Sequence, residues 1–260
     1  MRKLLPVIIV SFFLSCVPGC GSLAGSGEVI YMPIQNTTGD DVVVVHGLGR
    51  TYRSMKKLQR FLERQGYHVF NFNYPSTRHD IETLSQKYLK TFVENHCQNP
   101  TKKIHFVTHS MGGILVRYYL KHHALDRLGR VVMLAPPNQG SEVVDWQRHW
   151  MIFRWLFGPA AQQLGTHENH SLPIRLGAVD FEVGVIAGDK SVELIHSLVI
   201  PGDDDGKVSV ERAKVAGMKD FLVVHKTHTF MMRDPEVLGQ IVSFLRTGAF
   251  RRDSQEAQVS

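Results

Sequence analysis

Ile104-His105-Phe106-Val107-Thr108-His109-Ser110-Met111-Gly112-Gly113 is the stretch on which the reading of the whole chain turns. Ile104, Phe106 and Val107 form a short apolar run, Ser110 follows, and Gly112 and Gly113 open a helical pattern that continues through Ile114, Leu115, Tyr118 and Tyr119. A serine between a buried strand and a helix, followed by glycines, predicts a tight strained turn whose neighbours carry little or no side chain. Such a turn holds the serine hydroxyl out at the carboxyl edge of a sheet.

Upstream, Val42 to Val45 are four successive valines, apolar on both faces, as in the middle of a parallel sheet. They run directly into His46-Gly47-Leu48-Gly49. Tyr67 to Asn73, Val131 to Ala135, Val183 to Ala187 and Phe221 to Val224 read as further strands. Ser197 to Ile200 reads as an extension of the sheet and Glu28 to Ile34 as an edge strand with Pro33 near its end. Between them apolar residues recur at helical spacing: Met55, Leu58, Phe61 and Leu62, then Ile81, Leu84, Tyr88, Leu89 and Phe92. A last helix starts near Pro235 and carries Val237, Ile241 and Phe244. Strands alternating with helices predict an α/β fold, a doubly wound, mostly parallel sheet.

The 260 residues, 43% hydrophobic and 21% charged, suit one domain with a substantial core, placed at 28–250. Regularity is lost at about 141–180, where Trp146, Trp150, Trp155, Phe153 and Phe157 collect and Gly158-Pro159 interrupts the pattern. This segment reads as a small helical cap whose aromatics serve the core, form an apolar wall over a site, or both. The net charge of +6 comes without a basic stripe interleaved with aromatics, so a nucleic-acid partner is not expected. Fourteen histidines raise the question of a metal. His167-Glu168-Asn169-His170 falls one residue short of H-E-x-x-H, and His105 and His109 lie four apart on a strand rather than a helix. No metal is expected, and with no glycine-rich phosphate loop, no nucleotide cofactor either.

The amino-terminal residues read as an address. Arg2 and Lys3 precede an apolar run, Leu4 to Leu14, too short to span a bilayer comfortably, so 1–20 is expected to be a signal peptide. Val17-Pro18-Gly19-Cys20 resembles a bacterial lipoprotein processing site, with Cys16 a weaker second candidate. That resemblance implies lipid on Cys20, a flexible tether at 21–27, and an exported protein anchored at a membrane of the cell envelope. An ordinary cleaved signal is the alternative. Residues 251–260 form a polar tail, and Cys97 would be left as the one thiol of the domain.

A serine hydroxyl is a poor nucleophile until a base takes its proton, and the histidine that does so needs a carboxylate to fix its tautomer. His228, in the loop after the last expected strand, is the preferred base over His225. Asp203, Asp204 and Asp205 lie together in a turn, and Asp189 follows another strand. With Val42 to Gly49, Thr108 to Gly112, Asp205-Gly206-Lys207-Val208 and His228 in this order, the chain resembles the α/β-hydrolases, and within them the lipases and esterases. The resemblance implies a Ser110 nucleophile, an Asp205 acid (with Asp189 as rival), a His228 base, and an oxyanion hole from the backbone N–H groups of Leu48 and Met111. His46 is read as loop scaffold. The expected reaction is hydrolysis of carboxylic esters, of apolar acyl or lipid type, through an acyl-enzyme. Thioester hydrolysis, acyl transfer and a non-catalytic binding role on the same scaffold are the alternatives. The chain departs from the family's G-x-S-x-G elbow at Thr108, and strain is expected there.

Overall fold

In a computed structural model, which describes residues 39–192 and 199–252, six strands form one sheet. They are β1 (Asp41–Val45), β2 (His68–Phe72), β3 (Ile104–His109), β4 (Leu128–Leu134), β5 (Val183–Gly188) and β6 (Asp220–Val224). All pairs are parallel, in the order β2-β1-β3-β4-β5-β6. The signal segment with Cys20, the tether and the expected strand Glu28 to Ile34 lie outside the described residues, as do residues 253–260 of the tail. Of Ser197 to Ile200 only Val199 and Ile200 are described, in a turn and a bend rather than a strand.

The valine run explains why the sheet is covered on both faces. Val42 and Val44 pack with Leu58 and Leu62 of α1 (Lys56–Arg64), and with Val237 and Ile241 of the carboxyl-terminal helix Pro235–Thr247. Val43 and Val45 pack on the other face with Ile114 and Leu115 of the helix Met111–His122. All four valines are fully buried, each contributing about 1.5 to 3 kcal/mol. The carboxyl-terminal helix has sharp local signals at both ends. Asp234 accepts the Glu236 and Val237 N–H groups, Pro235 occupies the first turn, and Gly248 closes the helix at φ 77°.

Between β2 and β3 the chain forms α2 (Ile81–Thr83), a π-helical turn (Leu84–Leu89) and α3 (Lys90–His96). The single amphipathic helix expected there is thus interrupted by a wider turn. The elbow helix α4 (Met111–His122) follows β3. Between β4 and β5 lie α5 (Glu142–Gln147), α6 (Met151–Gln162) and α7 (Leu172–Leu176). Gly158 breaks α6 with φ 66° ahead of Pro159. A short α8 (Val210–Ala213) precedes β6, and α9 (Pro235–Thr247) ends the domain.

The strand order reverses at β1. From β1 the chain passes through α1 to β2 on one side, whereas β3 adds to the other side and sends α4 to the opposite face. Such a reversal opens a crevice at the carboxyl ends of the two strands, where ligands bind in open α/β sheets. The loop His46 to Gly49 leaves β1 at that crevice and Ser110 leaves β3 there.

One buried side chain ties α4 to the segment between β4 and β5. The Arg117 guanidinium donates to the Asn138 carbonyl and Oδ1 (3.0 and 3.1 Å), the Pro173 carbonyl (3.2 Å) and the Gly177 carbonyl. Burial pulls its pKa down to about 10, which leaves it charged at neutral pH. Arg117→Ala would strand these acceptors away from water. It is expected to lower the unfolding free energy by about 3 kcal/mol, read from urea denaturation; an unchanged midpoint would refute the clamp.

Candidate active site

Ser110 sits between β3 and α4 at φ 54°, ψ −128°, a conformation that an L residue adopts only at a cost of about 1 to 3 kcal/mol. Its N–H donates to the Leu134 carbonyl of β4 (2.8 Å), and its carbonyl accepts from the Gly113 N–H (2.9 Å). A side chain at Gly112 would stand 2.7 Å from the carbonyl oxygens of both Val45 and His46, so only glycine lets α4 approach β1 this closely.

The strain expected at Thr108 lies instead at Ser110. Thr108 keeps regular ladder register, opposite Val45 on one side and Met133 on the other. Its side chain faces Gly113, where an added Cβ would lie 3.3 Å from Thr108 Oγ1. The β-branched residue fits because the bulk missing at Gly113 is supplied by Thr108. Its hydroxyl is buried and finds no hydrogen-bond partner among the described residues.

The three adjacent aspartates part company. Asp203 is exposed, Asp204 accepts the Gly206 N–H (2.6 Å), and Asp205 is buried. Asp205 Oδ1 accepts the Lys207 and Val208 N–H groups (3.0 and 2.9 Å), and Oδ2 accepts from His228 Nδ1 at 2.8 Å. The His228 N–H also donates to the Asp205 carbonyl (3.0 Å), so backbone and side chain lock the two loops together. A buried carboxylate without such donors would be prohibitively unfavourable. The two rivals, Asp189 and His225, pair with each other at 2.9 Å, but His225 is 73% exposed and neither lines the cavity that holds Ser110.

Ser110, His228, Leu48 and His109 line one cavity, together with Arg50 and Lys207. Its apolar wall comes from Val143 and Val144 of α5, Phe153 and Phe157 of α6, and Leu164. None of the tryptophans lines it: Trp146 and Trp150 meet edge to face at 4.9 Å, and Trp155 is 81% exposed beside exposed Met151 and Ile152. Met111, the first residue of α4, has one of the N–H groups that a helix start leaves without an intrahelical partner. Among the described residues no group of three or more His, Cys, Asp or Glu is arranged to hold a metal ion.

Two buried histidines frame the site, and one of them was not singled out for this role by the sequence. His109 Nε2 donates to the His228 carbonyl (2.9 Å), bringing the two rings to 4.8 Å. Burial first, then the neighbouring His228, hold His109 well below its ordinary pKa, so it is neutral. Its position just before Ser110 was visible, but the 119-residue contact that gives it meaning was not. His46, expected as scaffold, is stacked on Tyr74 at 4.2 Å, and its carbonyl accepts the Tyr74 O–H (2.6 Å). Burial pushes its pKa down to about 4. The loop is pinned further by the Gly49 N–H, which donates to Ser76 Oγ (3.1 Å).

The family model described as Alpha/beta hydrolase family matches residues 42–238 of this chain. A Mycoplasma pneumoniae protein whose name marks it as a candidate esterase/lipase is 33% identical over 114 residues, 41% of this chain and 41% of that relative. The match thus spans about two fifths of the relative's length. Among solved structures, mature Bacillus licheniformis lipase BlEst2 superposes with a TM-score of 0.64 at 19% identity, covering 85% of this chain and 96% of that one. Legionella pneumophila phospholipase PlaB gives a TM-score of 0.63 at 16% identity, covering 85% of this chain and 61% of its own. At these identities the two structures speak for the fold.

The buried neutral histidines predict an acid-sensitive fold. Unfolded, each histidine gains its proton near pH 6.5, whereas folded His46 does so only near pH 4. Between these values the unfolded state binds more protons, so stability falls as pH falls, by up to about 1.4 kcal/mol per pH unit for each such histidine. Urea midpoints are expected to drop across this window, and less steeply in His46→Gln; parallel profiles for the two proteins would contradict the assignment.

Proposed function

The chain belongs to the alpha/beta hydrolase family, and from that premise we propose that it is a serine hydrolase of carboxylic esters, working through an acyl-enzyme on substrates with apolar acyl chains. One observation carries the reading. Ser110 on its strained turn and His228, bonded through Nδ1 to buried Asp205, open into the same apolar cavity.

In the proposed reaction Ser110 Oγ bonds to the ester carbonyl carbon while its proton passes to His228 Nε2. Asp205 holds the Nδ1–H and stabilises the imidazolium. The carbonyl electron pair moves onto oxygen, and the oxyanion is met by the Leu48 and Met111 N–H groups. Collapse breaks the bond to the alcohol, which leaves with the proton from His228, and Ser110 remains acylated. Water then attacks the acyl carbon and gives a proton to His228. The carboxylic acid departs and the proton returns to Ser110 Oγ. The wall of Phe153, Phe157 and Leu164 supports the choice of apolar acyl chains.

Export and a lipid anchor on Cys20 belong to the same proposal, supported by Arg2 and Lys3, the apolar run Leu4 to Leu14 and the Val17-to-Cys20 segment. Palmitate fed to cells producing the full chain is expected to label it, and Cys20→Ser to remove the label; unlabelled natural protein would refute the anchor.

The chemistry is tested with a fluorophosphonate probe and a soluble aryl ester. Natural protein should label and Ser110→Ala should not; equal labelling of both would overturn the nucleophile. Asp205→Asn is expected to lower kcat on the order of 10⁴-fold. Asp189→Asn, which alters only the partner of exposed His225, should leave activity intact. The opposite pattern would move the acid role to Asp189.

A further inference from the structure

Helix α6 is apolar on two sides. Phe153, Phe157, Ala160 and Ala161 are buried, and the two phenylalanines wall the cavity that holds Ser110. The other side carries Met151, Ile152 and Trp155. Met151 and Ile152 stand four and three residues before Trp155, the spacing of neighbours on one helix face. They are 85%, 42% and 81% exposed. Three of the six large hydrophobic side chains exposed among the described residues therefore meet where a surface helix ordinarily turns polar residues to water. Single exposed apolar residues need no explanation, whereas a cluster marks an interaction surface.

The chemistry around the cluster narrows the partner. From His149 to Gly165 the chain carries exposed Arg154 and no aspartate or glutamate, and Arg154 follows Met151 by three residues, beside the same face. Tryptophan with apolar neighbours and a cation suits the boundary of a lipid bilayer. There the ring sits at the level of the headgroups, the apolar chains enter the acyl region and the guanidinium meets phosphate. A second copy of the chain fits less well, because three side chains expose on the order of 400 Å², about half of what each partner of a stable dimer covers. The start of the chain agrees with a bilayer: the segment that joins Cys20, the proposed lipid attachment, to Asp41 at the start of β1 spans at most about 75 Å, which holds the domain within reach of the surface. We propose that the outward face of α6, formed by Met151, Ile152, Arg154 and Trp155, is a docking surface for an anionic lipid bilayer. The choice of a bilayer draws on the proposed anchor, but the docking face does not require Ser110 to be a nucleophile. Docking presents to the lipid the same helix whose inner face walls the cavity.

The test uses the full chain with Cys20→Ser, which removes the attachment point, and Ser110→Ala, which keeps the vesicle lipids intact. Vesicles of phosphatidylcholine and phosphatidylglycerol with brominated acyl chains quench any tryptophan that enters them. Adding them should lower the protein fluorescence. Trp155→Phe, which exchanges one exposed ring for another, should remove most of that quenching while binding, read by co-sedimentation with the vesicles, persists. Met151→Ser with Trp155→Ser should lower the partition coefficient roughly tenfold or more. Arg154→Gln should weaken binding several-fold on vesicles that contain phosphatidylglycerol and leave binding to pure phosphatidylcholine unchanged. Quenching that survives Trp155→Phe, or binding that none of these substitutions moves, would overturn the docking face, since the amino-terminal segment shared by every variant would then account for it. A concentration-dependent dimer dissociated by Trp155→Ser, with vesicle binding unmoved, would also overturn it and give the face to a second copy. Palmitate labelling at Cys20 without quenching of Trp155 would keep the anchor and refute the docking face; quenching of Trp155 in a chain that takes up no palmitate would do the reverse.

Discussion

The strained backbone of Ser110 is the constraint on which the rest of the molecule depends. A residue at φ 54° is held there only because its surroundings leave no relaxed alternative. Its amide is taken by β4, its carbonyl by the first turn of α4, and α4 itself is pressed against the end of β1 through Gly112. Each contact requires β1, β3 and β4 to be neighbours in that order. The buried valines supply far more stabilisation than the turn costs, so the sheet can hold one unfavourable residue at its carboxyl edge. The reversal of strand order at β1 then ensures that α1 and α4 leave on opposite faces, and the cavity opens at the carboxyl ends of β1 and β3, walled by α5 and α6.

A second dependence runs through buried polar groups. His109 donates to the His228 carbonyl, His228 donates to Asp205, and Asp205 accepts two further amides from its own loop. This chain joins the elbow to the two loops after β5 and β6, and it does so among groups that cannot relax into water. His109 and His46 contribute as neutral rings. A proton on either would place a charge beside the site without a counter-charge, and burial keeps that proton off.

Much of this could be read from the sequence because strand periodicity and local turn chemistry are short-range. The valine run, the serine followed by Gly112 and Gly113, and the Asp234-Pro235 helix start are each decided within a few residues. The order Ser110, Asp205, His228 was legible because the fold fixes where strand ends fall, and the structure brings the last two to 2.8 Å. What escaped depends on distant packing. Thr108 looked like the strained position, but the residue that relieves it, Gly113, lies across the turn. The aromatics of 141–180 read together as core, as wall, or as both, and helix phase divides them: Phe153 and Phe157 turn inward to the cavity while Trp155 is left out. The π-helical turn at Leu84–Leu89 shifts hydrogen bonds without changing which residues are apolar, so composition carries no trace of it. Asp189 and His225 were sensible rivals on sequence, and the exposure of His225 and the absence of both from the cavity that holds Ser110 separate them from Asp205 and His228.

The site divides into two layers with different mechanical support. Ser110, Asp205 and His228 stand on loops tied to strand ends, with Asp205 and His228 almost fully buried. The apolar wall stands on α5 and α6, held at the start of α5 by Ser141, whose O–H donates to the Lys207 carbonyl (2.8 Å), and after α6 by Gln163, whose Oε1 accepts the Ile81 N–H (2.8 Å). Gly158 bends α6 between its inward phenylalanines and that anchor. Displacement of α6 changes the width of the cavity, whereas Asp205 and His228 are oriented by bonds on their own loops. Displacement of Arg50 or Lys207 is different, because their own backbone groups make the turns that carry Leu48 and Asp205. The apolar wall and the orientation of Asp205 and His228 thus rest on different elements of the fold, joined where the Ser141 O–H meets the Lys207 carbonyl.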